Sequence, residues 1–229
     1  MEGFSYVDLF ATKGIEYILV ITFLLALIAY WRLLDRRVKN RQKVPVRPLN
    51  DAMWFNLPKN LYYHPGHSWA MPQGDGIVKV GIDDFAQRLL GKPDSFKLPP
   101  IGSLLEQGDT GWKIQFDSNS IDVLSPIEGE VIDVNNEILS SPEIIGQDPY
   151  GKGWILKVKV PKINSNLKNL LTGRLAAAWM ENTVHILHQR ISGDLGIMMQ
   201  DGGLPVSGLA KELAPDNWDE FASEFLLTK

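Results

Sequence analysis

The chain has 229 residues, 45% of them apolar, and a formal net charge of −4. This length accommodates one or two domains with a packed core, and the negative charge argues against a nucleic-acid-binding protein, whose surface would carry excess Lys and Arg. The absence of cysteine excludes disulfides, thiol catalysis, and iron–sulfur or Cys-type zinc ligation by this chain.

Residues 15–34, which follow a short mixed segment at 1–14, are predicted to form a transmembrane helix. The stretch from Tyr17 to Trp31 carries no charge. With the residues that flank it, the segment has about 20 residues, and a helix of that length rises roughly 30 Å, the thickness of a hydrocarbon core. A buried soluble helix and a cleaved signal peptide are the alternatives, but the basic residues follow the apolar run, whereas a signal peptide has them before it.

The charges that flank this segment predict its orientation. Six basic residues lie in its last turn or just after it, namely Arg32, Arg36, Arg37, Lys39, Arg41 and Lys43. The positive-inside rule therefore predicts a single-pass protein of the inner (cytoplasmic) membrane, with its N-terminus outside and its main domain in the cytoplasm.

Residues 35–59 are predicted to form a juxtamembrane linker, because three prolines discourage regular structure there. The apolar group Met53-Trp54-Phe55 lies within it. The sequence leaves open whether this group contacts the following domain, a partner or the membrane surface.

Residues 60–170 show the alternation of a small β-domain. A strand is predicted over 76–82, followed by a short helix over 85–90 that Asp83 or Asp84 would cap. Apolar residues alternate on both sides of the polar cluster Asp117-Ser118-Asn119, which is typical of a hairpin turn.

Residues 171–229 are predicted to form a helical C-terminal extension. In the longest helix, over 175–188, Leu175, Trp179, Asn182 and Ile186 lie near one stripe and are expected to pack. The last helix carries Trp218, Phe221 and Phe225 at helical spacing. These aromatic residues need a surface to pack on, which is either the chain's own domain or a partner.

The chain lacks a recognisable catalytic or metal-binding set. His64 and His67 near Trp69, and His185 and His188 in the long helix, lack the additional closely spaced ligands that a metal site needs. We therefore expect a non-enzymatic protein without a metal site.

Between residues 60 and 170 the order of motifs resembles the H-protein of the glycine cleavage system, a relative of the lipoyl domains. The matching residues include Gly108-Asp109, Ser125-Pro126, Gly129-Glu130-Val131, Asp148-Pro149-Tyr150-Gly151 and Gly153-Trp154. The resemblance implies an α+β fold: a β barrel-sandwich hybrid domain, preceded here by the predicted transmembrane helix and followed by helices.

The chain departs from that family at one decisive position. H-proteins carry lipoate in amide linkage on a lysine at the hairpin tip, nine residues after the Gly-Asp aspartate and eight before the Ser-Pro proline. Here both distances lead to Ser118, and the glutamate expected three residues earlier is Gln115. A serine hydroxyl cannot form the lipoyl amide, so the resemblance implies a scaffold without lipoate or any other cofactor.

Three functional hypotheses follow. In the first, the chain is an unlipoylated accessory subunit that scaffolds a membrane-bound electron-transfer complex whose other subunits carry haem, flavin or iron–sulfur centres. Its docking residues would be Asp117, Ser118, Asn119, Trp218, Phe221 and Phe225. In the second, the chain is a lipoyl carrier modified at an atypical lysine such as Lys113, and it serves a glycine-cleavage-type enzyme. In the third, it binds lipoylation or glycine-decarboxylase machinery as a regulatory decoy.

Overall fold

The computed structural model of the protein describes residues 9–39, 54–117, 119–191 and 207–228. The chain divides into two compact units, Met1–Leu49 and Asn50–Lys229.

The first unit contains one long helix, α1 (Leu9–Lys39). The prediction that it crosses a membrane is not supported, since no helix among the described residues is long and apolar enough to do so.

The second unit is built on two antiparallel sheets, as the predicted α+β class requires. The larger sheet has the strand order β1-β2-β3-β9-β8-β5 and the smaller one β4-β6-β7. The strands described are β1 (Tyr62–Tyr63), β2 (Ser68–Gly74), β3 (Ile77–Ile82), β4 (Ser95–Lys97), β5 (Leu104–Leu105), β6 (Thr110–Phe116), β7 (Asn119–Leu124), β8 (Gly129–Val134) and β9 (Leu156–Lys159).

Helices connect the strands and follow the last one. Those described are α2 (Asp84–Leu90), α3 (Asn136–Ser140), α4 (Ile144–Gln147), α5 (Ile163–Lys168), α6 (Gly173–Ile191), α7 (Leu209–Leu213) and α8 (Trp218–Leu226). The predicted cap of α2 is Asp83, whose carboxylate accepts a hydrogen bond from the Ala86 backbone N–H at 2.8 Å. One apolar core contains side chains from both sheets and from the helices that follow them.

The end of the linker packs on its own domain. Phe55 is 1% exposed and meets the Phe85 ring at 5.0 Å, while Trp54 lies 4.3 Å from the His188 ring. Burial, together with the charge of Asp83, raises the pKa of Tyr150 well above its usual range. The Tyr150 hydroxyl therefore stays protonated and can donate to the Asn56 carbonyl at 2.6 Å. Trp54 and Phe55 therefore both contact the domain. Met53 lies outside the described residues.

Of the stripe predicted for α6, Trp179 packs against the core, whereas Leu175, Asn182 and Ile186 are exposed. Leu175 is 69% exposed, and the buried residues instead include Ala176 and Met180. Ala176 joins a small core cluster with Leu61, Tyr63 and Trp69. A small side chain fits against these large rings, so the helix turns its alanine inward and leaves the leucine outside.

A close glycine contact joins α2 to the C-terminal extension. Gly91, the C-cap of α2, has φ +83, and a Cβ built there would lie 2.9 Å from the Cα of Gly208. The Gly208 N–H donates to the Arg88 carbonyl at 2.7 Å. Only glycine allows this backbone conformation and this approach together.

Two histidines lie in the turn before β2. His67 is buried, its Nδ1 lies 2.8 Å from the Asp83 carboxylate, and its ring lies between Phe85 (4.2 Å) and Trp179 (4.6 Å). His64 Nδ1 accepts a hydrogen bond from the Gly66 N–H at 3.0 Å. Burial, and secondarily the nearby His67, lowers the pKa of His64. Within the described residues no group of three or more possible ligands could hold a metal ion.

Gly91→Ala is expected to lower the free energy of unfolding by about 1–3 kcal/mol, because the added Cβ meets backbone and the left-handed conformation is strained. Urea unfolding measures the loss. The matched control is Gly102→Ala, where φ is +90 but a Cβ would meet nothing within 4 Å. Equal losses in the two variants would contradict the close contact between α2 and the extension.

His64→Asn is expected to flatten the pH dependence of stability below neutrality. Because the folded-state pKa of His64 is lowered, the unfolded chain binds the proton first, and stability falls as the pH drops below about 6.5. Asparagine keeps a side-chain acceptor near Gly66 but does not titrate, so its unfolding free energy should change less between pH 7 and pH 5. His185→Asn, on an exposed position of α6, controls for the substitution itself. A slope as steep as that of the wild type in the His64 variant would contradict this assignment.

Candidate docking site at the β6–β7 hairpin

The β6–β7 hairpin forms as the alternation predicts. Ile114 faces Ile121 across the pair, and Phe116 faces Asn119. Asp117 occupies the turn with φ +47, and its backbone N–H donates to the Asp94 carboxylate. Ser118 lies outside the described residues. The turn therefore places two carboxylates, those of Asp94 and Asp117, in one short region of surface.

The two faces of the hairpin differ in character. The inward face is apolar and buried, and it consists of Trp112, Ile114, Phe116, Ile121 and Val123. On the outward face, Lys113 Nζ pairs with the Asp122 carboxylate at 2.6 Å, and Gln115 lies between Ser95 and Ser120 in register. Lys113 lies four residues, or about 14 Å, back from Asp117 along the strand. It is therefore a cross-strand ion-pair partner and is remote from the tip.

The C-terminal extension contacts the tip of this hairpin. The Trp218 ring packs edge-on against the Phe116 ring at a centroid distance of 5.4 Å. Lys211 Nζ lies 3.3 Å from the Asp117 carboxylate, 5.0 Å from the Trp218 ring and 5.7 Å from the Phe116 ring. We call these four residues (Phe116, Asp117, Lys211 and Trp218) the tip contact. It combines an ion pair, cation–π contacts and an aromatic edge.

The other two aromatic residues of α8 also lie on the chain's own domain. Phe225 is nearly buried, and its ring lies 5.5 Å from Phe85. Phe221 is half-buried beside Phe225 at 5.3 Å. Of the α8 residues predicted for docking, Trp218 therefore lies on the hairpin, whereas Phe221 and Phe225 pack on the chain's own core.

Lys211 is the residue of this site that the sequence does not reveal. It is 94 positions from its ion-pair partner and lies in a helix of five residues. Periodicity identifies which residues of one element share a face, but it does not identify the strand against which a distant helix packs.

Comparison with known proteins identifies the family. The family model of the glycine cleavage H-protein matches residues 61–183. A glycine cleavage system H protein of Alteromonas mediterranea is 41% identical over 104 residues, which cover 45% of this chain and 81% of that protein. One of Thermus thermophilus is 37% identical over 117 residues, which cover 51% of this chain and 90% of that protein.

A crystal structure of a glycine cleavage system H protein from Mycobacterium marinum is 27% identical, covers 56% of this chain and 99% of its own, and has a TM-score of 0.49. The family match ends at residue 183, so α7 and α8 lie beyond it. Because the family model matches more than half of the chain, and two relatives above 30% identity are matched over most of their length, this chain belongs to the glycine cleavage H-protein family.

Proposed function

We propose that this chain is a non-catalytic, unlipoylated H-protein that uses its hairpin to dock a protein partner. The observation that carries the proposal is the residue at the tip. Ser118 stands where both flanking motifs place the carrier lysine, and a hydroxyl does not form the stable amide that holds lipoate. Without an arm to carry, the hairpin retains the shape and the charge that a partner could recognise.

The surroundings of the tip support this proposal. The tip has two carboxylates, Asp94 and Asp117, and Asp117 is engaged by Lys211 from a segment beyond the family match. Lys113, the lysine that the sequence suggests for an atypical modification, is held in mid-strand by Asp122. A lipoyl group there would lie on the sheet and would not extend from the turn.

A lipoyl carrier is the second candidate function, and the names of the relatives favour it, since they are glycine cleavage system H proteins. The amine would then be Lys113 or Lys211. Lys211 is the better placed of the two, because its Nζ lies beside Asp117 at the tip.

Two parts of the sequence-based hypothesis remain predictions. One is a location at the cytoplasmic face of the inner membrane, and the other is a set of partners that carry haem, flavin or iron–sulfur centres. Membrane fractionation and affinity purification of the tagged full chain, followed by mass spectrometry, test both. Co-purified redox subunits would support the accessory role, whereas co-purified glycine decarboxylase or lipoate ligase would favour the carrier or the decoy.

Incubation with lipoate, ATP and a lipoate–protein ligase is expected to leave the full chain at the mass of its bare sequence. Ser118→Lys restores an amine at the tip and is expected to gain one lipoyl group. Intact mass and peptide mapping provide the readout. Modification of the unaltered chain would contradict the docking proposal, and Lys113→Arg and Lys211→Arg would then show which lysine carries the group. An unmodified Ser118→Lys chain would show that more than the lysine has been lost from the site.

A further inference from the structure

The C-terminal extension is attached to the domain in two zones of unlike character. In the first zone, against α2 and the core, Leu209, Ala210, Ala222 and Leu226 are at most 1% exposed. The Gly91–Gly208 approach and the Gly208–Arg88 hydrogen bond also belong to this zone. Exposing these apolar side chains to water would have a large free-energy cost.

The second zone is the tip contact, whose ion pair lies at the surface and whose Trp218 ring packs on the buried Phe116 ring. The Lys211 side chain is 40% exposed and that of Asp117 is 82% exposed, while Trp218 is half-buried. Exposed ion pairs contribute little to stability and are screened by salt. The ion pair therefore holds the extension only weakly, and it can open while the apolar contacts of the first zone stay closed.

The two sides of the tip contact have complementary chemistry. The hairpin offers a carboxylate, Asp117, next to an aromatic ring, Phe116. The extension contributes a cation, Lys211, next to another ring, Trp218. The Asp94 carboxylate accepts from the Asp117 backbone N–H and adds a second negative charge to the hairpin side. The surface beneath Lys211 and Trp218 thus favours a ligand that presents a cation beside an aromatic group.

We propose that Lys211 and Trp218 are an internal occupant of a docking site made by Phe116 and Asp117. The external partner is a protein segment that presents a lysine or arginine beside an aromatic side chain, and it displaces the occupant. This inference rests on the proposed docking function and names the chemistry of the partner. It also gives the extension a role: a partner must compete with it, so that only a well-matched segment binds.

The test is a titration of the isotope-labelled full chain with a short peptide, acetyl-Gly-Lys-Trp-Lys-Gly-amide, monitored by NMR at the backbone amides of Asp117 and Asn119. Lys211→Met removes the cation of the occupant and leaves the docking site intact. We expect the peptide to bind this variant at least fivefold more tightly than the unaltered chain, and added salt to weaken the binding.

Three controls make the titration decisive. Lys211→Arg keeps the charge and should bind like the unaltered chain, and Asp117→Asn in the Lys211→Met background should lose the binding. A peptide with glutamate in place of lysine should bind none of the chains. Unchanged amide shifts in α2 show that each variant keeps its fold.

Equal affinity for the unaltered chain and Lys211→Met would overturn the inference, as would binding that survives loss of the Asp117 charge. Failure of the docking function looks different: the peptide would bind as expected, but affinity purification of the full chain would yield no stable partner.

Discussion

The alternation of β6 and β7 is the constraint on which the rest of the second unit depends. Trp112, Ile114 and Phe116 point to the core because they share one face of a strand, and Lys113 and Gln115 point away for the same reason. A slip of one residue would exchange the two faces and bury a lysine. The register therefore determines which residues form the core, which form the outer polar face, and which acid reaches the turn.

The sequence predicted those parts of the fold that depend on local pattern. The hairpin, the Asp83-capped helix and the C-terminal helices all have periodicity or capping residues that can be read directly. The H-protein scaffold was recognisable because many short motifs occur in the family's order, and the family match over 61–183 confirms it. Local chemistry and motif order were thus sufficient for the architecture.

What the sequence did not predict depends on tertiary contacts. The stripe with Leu175 seemed the better packing face of α6 by hydrophobicity, but in the structure the side of the helix that carries Ala176 is buried beside Tyr63 and Trp69. The tip contact cannot be predicted from the sequence for a related reason. Lys211 is an ordinary surface lysine by composition, and only the path of the extension over α2 brings it to Asp117.

The position of the extension also has a consequence for biosynthesis. Residues of α7 and α8 enter the same apolar core as β6, β7 and α2, yet they follow those elements in the chain and are translated after them. Domains fold during synthesis in order of their emergence, and incompletely covered apolar surface favours aggregation. The rings of Phe85 and Phe116 are therefore covered by Phe225 and Trp218 only after α7 and α8 have left the ribosome.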